Sequence, residues 1–108
     1  MKIVTRKILQ DLITEAEQSP RKRANFNFHS DSFDTSRFLN VGGTNTYWVP
    51  HYHADKWEHV TILVGKLGIV KFDNLGNITD KVVLERDNVP VVEIEPREYH
   101  TLVALTDP

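Results

Sequence analysis

The sequence predicts a single, mainly β domain that begins with one α-helix. Helical periodicity occurs in one segment near the N-terminus, and the rest of the chain is a series of short apolar runs closed by turn residues. The 108 residues fit one domain, since a domain usually takes about 100–200 residues. We therefore expect one domain over residues 1–108, with a helix within residues 1–20 and an antiparallel β-sandwich or small barrel over residues 24–108.

The helix is predicted by a stripe of apolar residues with helical spacing. The stripe consists of Ile8, Leu9, Leu12, Ile13 and Ala16. Thr5 precedes the stripe and is a residue type that caps helix N-termini. Ser19-Pro20 ends it, because proline lacks the amide hydrogen and disfavours helical backbone in the residue before it.

The strands are predicted from alternation and from turn residues. Asn25–His29 alternates polar and apolar side chains, as a half-buried strand does. Seven further short runs end at glycine, proline, asparagine or aspartate. They cover residues 37–41, 46–49, 57–64, 67–72, 78–84, 89–94 and 100–105. Many short strands joined by tight turns favour an antiparallel sandwich.

The composition excludes several classes of protein. Thirteen basic and fifteen acidic residues give a net charge of −2, which argues against a nucleic-acid-binding protein. The chain contains no cysteine, so it has no disulfide, thiolate metal site or cysteine nucleophile. No apolar run approaches the roughly 20 residues that span a bilayer, and the charged N-terminus does not resemble a signal peptide. We expect a cytoplasmic protein that does not bind membranes.

Four polar residues carry the chemistry that the pattern suggests. His51 and His53 are two residues apart on extended chain, so both imidazoles can point the same way. Glu58 heads an apolar row that continues through Val60, Ile62 and Val64, and His100 heads the row of Leu102 and Ala104. A buried carboxylate is rare unless it is paired or binds a cation. His59 lies on the opposite face from Glu58, so we expect no metal ligation from it.

Three imidazoles and one carboxylate would suit a borderline divalent metal such as Fe, Mn, Co, Ni, Zn or Cu. Such a set leaves coordination positions open, and an open position distinguishes a reactive site from a structural one. Two plainer interpretations stay open at this point. His51 and His53 could be surface histidines in a loop, and His100 could be a core histidine that is hydrogen-bonded to backbone.

The spacing of these residues resembles a known family. His51-x-His53-x4-Glu58-x6-Gly65 is similar to the first cupin motif, and His100 lies where the second motif has its histidine. The chain looks closer still to the WbuC-type cupin metalloproteins of bacterial surface-polysaccharide (O-antigen) gene clusters. The matching residues are Ser19-Pro20-Arg21, Asn25, Asn27, His29, Arg37, Tyr47, the stretch from Pro50 to Glu58, Phe72-Asp73 and the stretch from His100 to Leu105.

The resemblance implies a cupin-type jelly roll with one metal ion held by His51, His53, Glu58 and His100. Two departures accompany it. Glu95 and Arg97 stand on either side of Pro96 where cupins usually have proline and glycine, so the turn before His100 could differ. The chain also ends soon after the second motif, so it is either a shortened form or one whose open edge a partner subunit covers, and we expect a homodimer.

The expected function is a metal-binding cupin that acts on a small polar metabolite, a sugar or sugar nucleotide of surface-polysaccharide biosynthesis. The reaction would be isomerisation, epimerisation or metal-dependent oxygenation. We expect substrate contacts from His29, Arg37, Tyr52 and Lys56, and acid–base catalysis from Tyr99. His29 could equally be a partly exposed histidine at a strand end.

Two alternatives remain at the level of sequence. The first is a non-catalytic sensor or ligand-binding accessory protein, in which the metal clamps a ligand or is structural. The second is a metal-free sugar-nucleotide isomerase that uses His51 or His53 with Tyr99 as an acid–base pair.

Overall fold

The structure, a computed structural model, describes residues 1–28 and 36–108. In these residues one helix is followed by seven strands. The elements are α1 (Arg6–Gln18), β1 (Arg23–Asn27), β2 (Phe38–Gly42), β3 (Glu58–Thr61), β4 (Lys66–Phe72), β5 (Ile78–Glu85), β6 (Val91–Ile94) and β7 (Tyr99–Ala104). The prediction of a mainly β domain with one N-terminal helix is confirmed.

The helix begins and ends where its sequence predicts. The Thr5 side-chain oxygen accepts a hydrogen bond from the Ile8 N–H at 3.2 Å, which satisfies one of the free amides of the first turn. Ser19 leaves the helix in an extended conformation. Leu12 and Ala16 of the apolar stripe are buried and pack with Ala24 of β1. No helix in the described ranges has the length and apolar character needed to cross a membrane.

The described strands form three antiparallel sheets. A β1–β2 hairpin packs on α1, a second pair joins β3 to β6, and a three-stranded sheet has the order β5-β4-β7. Residues 46–49, predicted as a strand, do not form one. Other contacts hold this segment: the Trp48 ring fills the space beside Gly42, and the Trp48 carbonyl accepts a hydrogen bond from the Thr101 hydroxyl at 2.6 Å.

The β3–β6 pair and the three-stranded sheet face each other as a small sandwich. Ile69 of β4, Leu84 of β5 and Ile94 of β6 are the buried centre of the core between them. Leu84 has no exposed surface at all. Val64 does not continue the row of Glu58, because β3 ends at Thr61 and Val64 lies in the following bend, 61% exposed.

One end of this core is polar. Four strands each place a polar residue two positions from an apolar residue on the same inner face. The pairs are Val60 and Glu58 on β3, Ile69 and Lys71 on β4, Val82 and Asp80 on β5, and Leu102 and His100 on β7. We call Glu58, Lys71, Asp80 and His100 the polar layer. It lies beside the apolar core and contains two of the predicted metal ligands.

Candidate metal centre

His51, His53 and Glu58 form a group that could hold a metal ion. One ligand atom from each of the three lies within 4.8 Å of the others. His51 and His53 come from the segment before β3, and Glu58 is the first residue of β3. As the sequence predicted, the two histidines lie two residues apart and place their imidazoles in one group with the Glu58 carboxylate.

Backbone pairing brings His51 to His100. The N–H of each residue donates to the carbonyl of the other at 2.9 Å, so the two stand directly opposite each other as an isolated antiparallel bridge. Side chains of directly opposed residues lie on the same face of a sheet. The two imidazole rings are accordingly 4.6 Å apart between centroids. Strand pairing therefore brings His100 into the site although it lies 49 residues after His51 in the sequence.

Glu58 links the two halves of the site. One carboxylate oxygen lies 3.2 Å from His53 Nε2, and the other lies 3.0 Å from His100 Nε2. His100 is outside the group of three described above, whose ligand atoms are all mutually within 4.8 Å, and it joins that group through Glu58. The four residues predicted as ligands thus form one connected cluster.

Two backbone carbonyls fix the orientation of two of the imidazoles. His51 Nδ1 lies 3.0 Å from the Val49 oxygen, and His100 Nδ1 lies 2.7 Å from the Glu98 oxygen. A carbonyl only accepts hydrogen bonds, so each Nδ1 carries the hydrogen and donates it. The same arrangement orients histidines that bind metals through Nε2, because it directs the lone pair of Nε2 towards the ion.

Without a metal, Glu58 and His100 form an ion pair. The hydrogen bond from His100 lowers the pKa of Glu58 and outweighs burial, which would raise it. Burial lowers the pKa of His100, but hydrogen bonds with the Glu58 carboxylate and the Glu98 carbonyl outweigh this effect and raise the pKa above the usual 6.5. A metal ion binding here would displace the proton that His100 shares with Glu58.

The site opens towards solvent on one side. His100 is 1% exposed, whereas the side chains of Glu58 and His53 are 30% and 44% exposed. The exposure rises from the β7 side of the cluster to the segment before β3. A small molecule could therefore approach the donor atoms from the His53 side.

The turn from Glu95 to Glu98 contacts both halves of the site, and sequence reasoning missed this role. The Arg97 N–H donates to the His53 carbonyl at 2.7 Å, and Arg97 Nε donates to the Ala54 carbonyl at 3.2 Å. Arg97 has a φ of 69°, a left-handed conformation that glycine adopts more readily. Arg97 therefore has the backbone conformation that glycine adopts most readily.

Tyr99, predicted as the acid–base residue, lies on the opposite face of β7 from His100. Successive side chains of a strand alternate between faces, and Tyr99 stands opposite Phe72 in the register whereas His100 stands opposite Lys71. The Tyr99 ring packs 5.7 Å from the ring of Tyr52, also expected at the substrate, and 6.3 Å from that of Phe72. Tyr99 therefore packs with Tyr52 and Phe72, and its role in acid–base catalysis stays a prediction.

The other predicted substrate residues are spread over the chain. Arg37 precedes β2 in the hairpin that packs on α1, and its carbonyl accepts the Phe28 N–H at 2.8 Å. Lys56 is exposed in the segment before β3. His29 lies outside the described residues. His59 is turned away from Glu58, as expected, and lies 3.8 Å from Glu93.

Comparison with protein families identifies one match. Residues 4–84 match the family described as a domain of unknown function, DUF6016. Since the match covers well over half of the chain, this protein belongs to that family. The matched region includes His51, His53 and Glu58 and ends before His100. No curated protein and no solved structure matches the chain.

Proposed function

We propose that this chain binds one divalent transition-metal ion through His51, His53, Glu58 and His100 and presents it to a small polar ligand. The observation that carries the proposal is the direction of the donor atoms. Two imidazoles are fixed by carbonyls at Nδ1, and the Nε2 atoms of His53 and His100 meet at the Glu58 carboxylate. This is the donor set and the outer hydrogen bonding that histidine-rich metal sites use.

The donor chemistry fits Fe, Mn, Co, Ni or Zn. Imidazole nitrogen suits borderline divalent ions, and one carboxylate oxygen among three nitrogens does not select strongly between them. When bound, such an ion supplies Lewis acidity towards an oxygen of the ligand. The chain itself would orient the ligand on the exposed side near His53 and keep the opposite side, at His100, closed to water.

The ligand class we propose is a sugar or sugar nucleotide of surface-polysaccharide biosynthesis. The support is the resemblance of the metal-site segment to cupins of the WbuC type, together with an open side wide enough to expose two of the ligand residues. A cytoplasmic location is part of the same proposal and rests on the sequence alone. Isomerisation, epimerisation and oxygenation all remain compatible with this donor set.

The exposed side of the cluster favours this proposal over a purely structural metal, because structural sites enclose the ion with protein ligands. The metal-free isomerase has less support, since it needs Tyr99 beside a histidine and Tyr99 packs with Tyr52 on the other face of β7.

We also propose a homodimer. The outer face of the β5-β4-β7 sheet exposes a group of apolar side chains, and a large exposed apolar patch is typical of an interaction surface. The group includes Ile78, Val83, Tyr99 and Val103. Light scattering should give twice the chain mass for the native protein and the single chain mass for Val83→Lys combined with Val103→Lys. A monomeric native protein would contradict the dimer.

Metal analysis and titration test the main proposal. Elemental analysis of the protein purified without chelator should give about one transition-metal ion per chain. Calorimetric titration of the chelated protein with Zn²⁺ or Co²⁺ should give one site, because the four donors can enclose a single ion. A stoichiometry near zero in both experiments would contradict it. A thermal-shift screen of sugars and nucleotide sugars should then give shifts with the metal-loaded protein and none after chelation.

A further inference from the structure

The turn from Glu95 to Glu98 joins the two halves of the proposed metal centre. Its Arg97 N–H holds the His53 carbonyl at 2.7 Å, and its Glu98 carbonyl holds His100 Nδ1 at 2.7 Å. One ligand is thus held through its backbone and the other through its ring. A shift of this turn would move both ligands relative to Glu58, which comes from a different strand.

The side chain of Glu98 closes the turn and ties it to β4. One carboxylate oxygen accepts a hydrogen bond from the Glu95 N–H at 3.0 Å, and the other lies 2.8 Å from Lys71 Nζ. The Glu98 N–H also donates to the Glu95 carbonyl at 3.3 Å. The carboxylate therefore connects the first residue of the turn, the last residue of the turn and a lysine of the neighbouring strand.

Lys71 is placed to stabilise this arrangement. It stands directly opposite His100 in the β4–β7 register and directly opposite Asp80 in the β4–β5 register. The ammonium group is thus flanked by acidic residues of the turn and of β5, and the hydrogen bond with Glu98 is the main cause of its raised pKa. The Lys71 side chain is 38% exposed, so these acidic partners fix the position of its ammonium group.

We infer that Lys71 and Glu98 are positioning residues of the metal centre: their ion pair holds the Glu95–Glu98 turn so that His100 and His53 face Glu58. This inference rests on the proposed function, because it assigns the two residues to the geometry of that site. Neither side chain needs to touch the ion. They act through the Glu98 carbonyl on His100 and through the Arg97 N–H on the His53 segment.

The chain offers a matched control for the lysine. Lys66 is also on β4 and also faces a glutamate, since its Nζ lies 3.5 Å from Glu85. It precedes Leu67, which stands opposite Ala104 at the C-terminal end of β7, away from His100. Lys66→Met and Lys71→Met therefore remove the same type of charge from the same strand, and one of them borders the proposed centre.

The test is a Co²⁺ titration of the full chain, followed by visible absorption. Removing an outer partner of a metal ligand typically weakens metal binding about 10- to 100-fold. We expect Lys71→Met and Glu98→Gln to weaken Co²⁺ binding by about tenfold and to change the absorption spectrum, which reports the coordination geometry. Lys66→Met should match the wild type, and Lys71→Arg should restore most of the affinity.

A second measurement separates this inference from the proposed function. In the metal-free protein the Nδ1–H of His100 is buried and hydrogen-bonded to the Glu98 carbonyl, so NMR should detect it as a slowly exchanging imidazole proton. It should persist in Lys66→Met and disappear by exchange in Lys71→Met. If wild type binds Co²⁺ and Lys71→Met has the same affinity, spectrum and His100 signal, the positioning role is wrong. If wild type does not bind Co²⁺, the proposed function fails, and the NMR comparison alone decides whether Lys71 orders His100.

Discussion

The two ends of the inner face of the sandwich differ sharply in chemistry although β4 and β5 contribute to both. At one end Ile69 and Leu84 pack as a dry core with Ile94, which stands opposite Glu58 in the β3–β6 register and so borders the polar end. On β3, β4, β5 and β7 the polar layer lies two residues away from an apolar residue of the same face, and its members range from the buried His100 to the exposed Asp80. The strand period of two residues makes this possible, because a polar side chain can replace an apolar one on the same face without a change in backbone course.

The apolar end stabilises the fold, whereas the polar end carries residues of the proposed metal site. The apolar end gains stability by removing surface from water. The polar end keeps His100 in a 1% exposed position only because every polar atom there has a partner: Glu58 on one ring nitrogen and the Glu98 carbonyl on the other. Changes at the two ends should therefore affect different measurements.

The largest effect on stability should come from the apolar end. Leu84→Ala removes a side chain with no exposed surface and leaves a cavity. We expect a loss of about 2–5 kcal/mol in the free energy of unfolding, measured by urea denaturation of the metal-free protein. Leu75→Ala is the control, because Leu75 is 87% exposed and its truncation should change stability by less than about 0.5 kcal/mol. Equal losses in the two variants would mean that Leu84 is not in a packed core.

The largest effect on metal binding should come from the polar end. Combining His51→Ala with His53→Ala removes two of the four proposed ligands, so we expect metal per chain to fall from about one to near zero. The far-ultraviolet circular dichroism should remain that of the folded protein. His59→Ala, on the other face of β3 with a half-exposed side chain, should retain full metal content. Stoichiometric metal in the double variant would place the ion elsewhere.

As pH rises through the folded pKa of His100, the Glu58–His100 pair should stabilise the metal-free protein less, whereas metal affinity should increase. The raised pKa of His100 makes its pairing stabilising below 6.5, and this contribution is lost as pH rises through its folded pKa. The lowered pKa of Glu58 makes its part stabilising above 4.5, and that part is lost as pH falls through its folded pKa. In the metal-free protein the pair should stabilise most between pH 4.5 and 6.5.

Metal binding should show the opposite trend, because protons compete with the ion for the imidazoles. Metal affinity should fall as pH falls, by up to about tenfold per pH unit for each proton displaced. The first trend can be measured as the difference in unfolding free energy between wild type and His100→Gln, and the second by titration with Zn²⁺. A difference independent of pH would contradict the Glu58–His100 pair, and a flat metal affinity would contradict imidazole ligation.

The smallest effect concerns the turn from Glu95 to Glu98 at the polar end. Arg97 has a left-handed backbone conformation, which costs about 1–2 kcal/mol for a residue with a Cβ atom. Arg97→Gly and Arg97→Ala both lose the guanidinium contact with Ala54 and keep the backbone N–H that binds the His53 carbonyl. Thermal or urea unfolding should make the glycine variant more stable than the alanine variant by about 1 kcal/mol. Equal stabilities would indicate that this turn is not held in the left-handed conformation.

Much of the fold could be predicted because its signals are local. The apolar stripe, Thr5 and Ser19 define α1 within two or three residues. The residues after Pro50 alternate clearly enough to place β4 and β5 almost to the residue. Residues 46–49 were mistaken for a strand because their composition suits one, whereas tertiary contacts of Trp48 decide their conformation.

The site was predictable where a polar residue heads an apolar row. That signal found Glu58 and His100, and it applies equally to Lys71, which follows Leu67 and Ile69 on the same face of β4. The roles of Glu98 and Arg97 depend on long-range register and on a turn conformation, which local pattern does not encode. Tyr99 lies next to His100 in sequence but on the other face of β7, so its catalytic role stays a prediction.

The most direct test of the account is a crystal structure of the metal-loaded protein with anomalous diffraction at the absorption edge of the bound ion. The account predicts one strong anomalous peak, at about 2.0–2.2 Å from nitrogen atoms of His51, His53 and His100 and from a carboxylate oxygen of Glu58. A peak at another place on the chain, or a protein saturated with metal that has none between these four side chains, would contradict it.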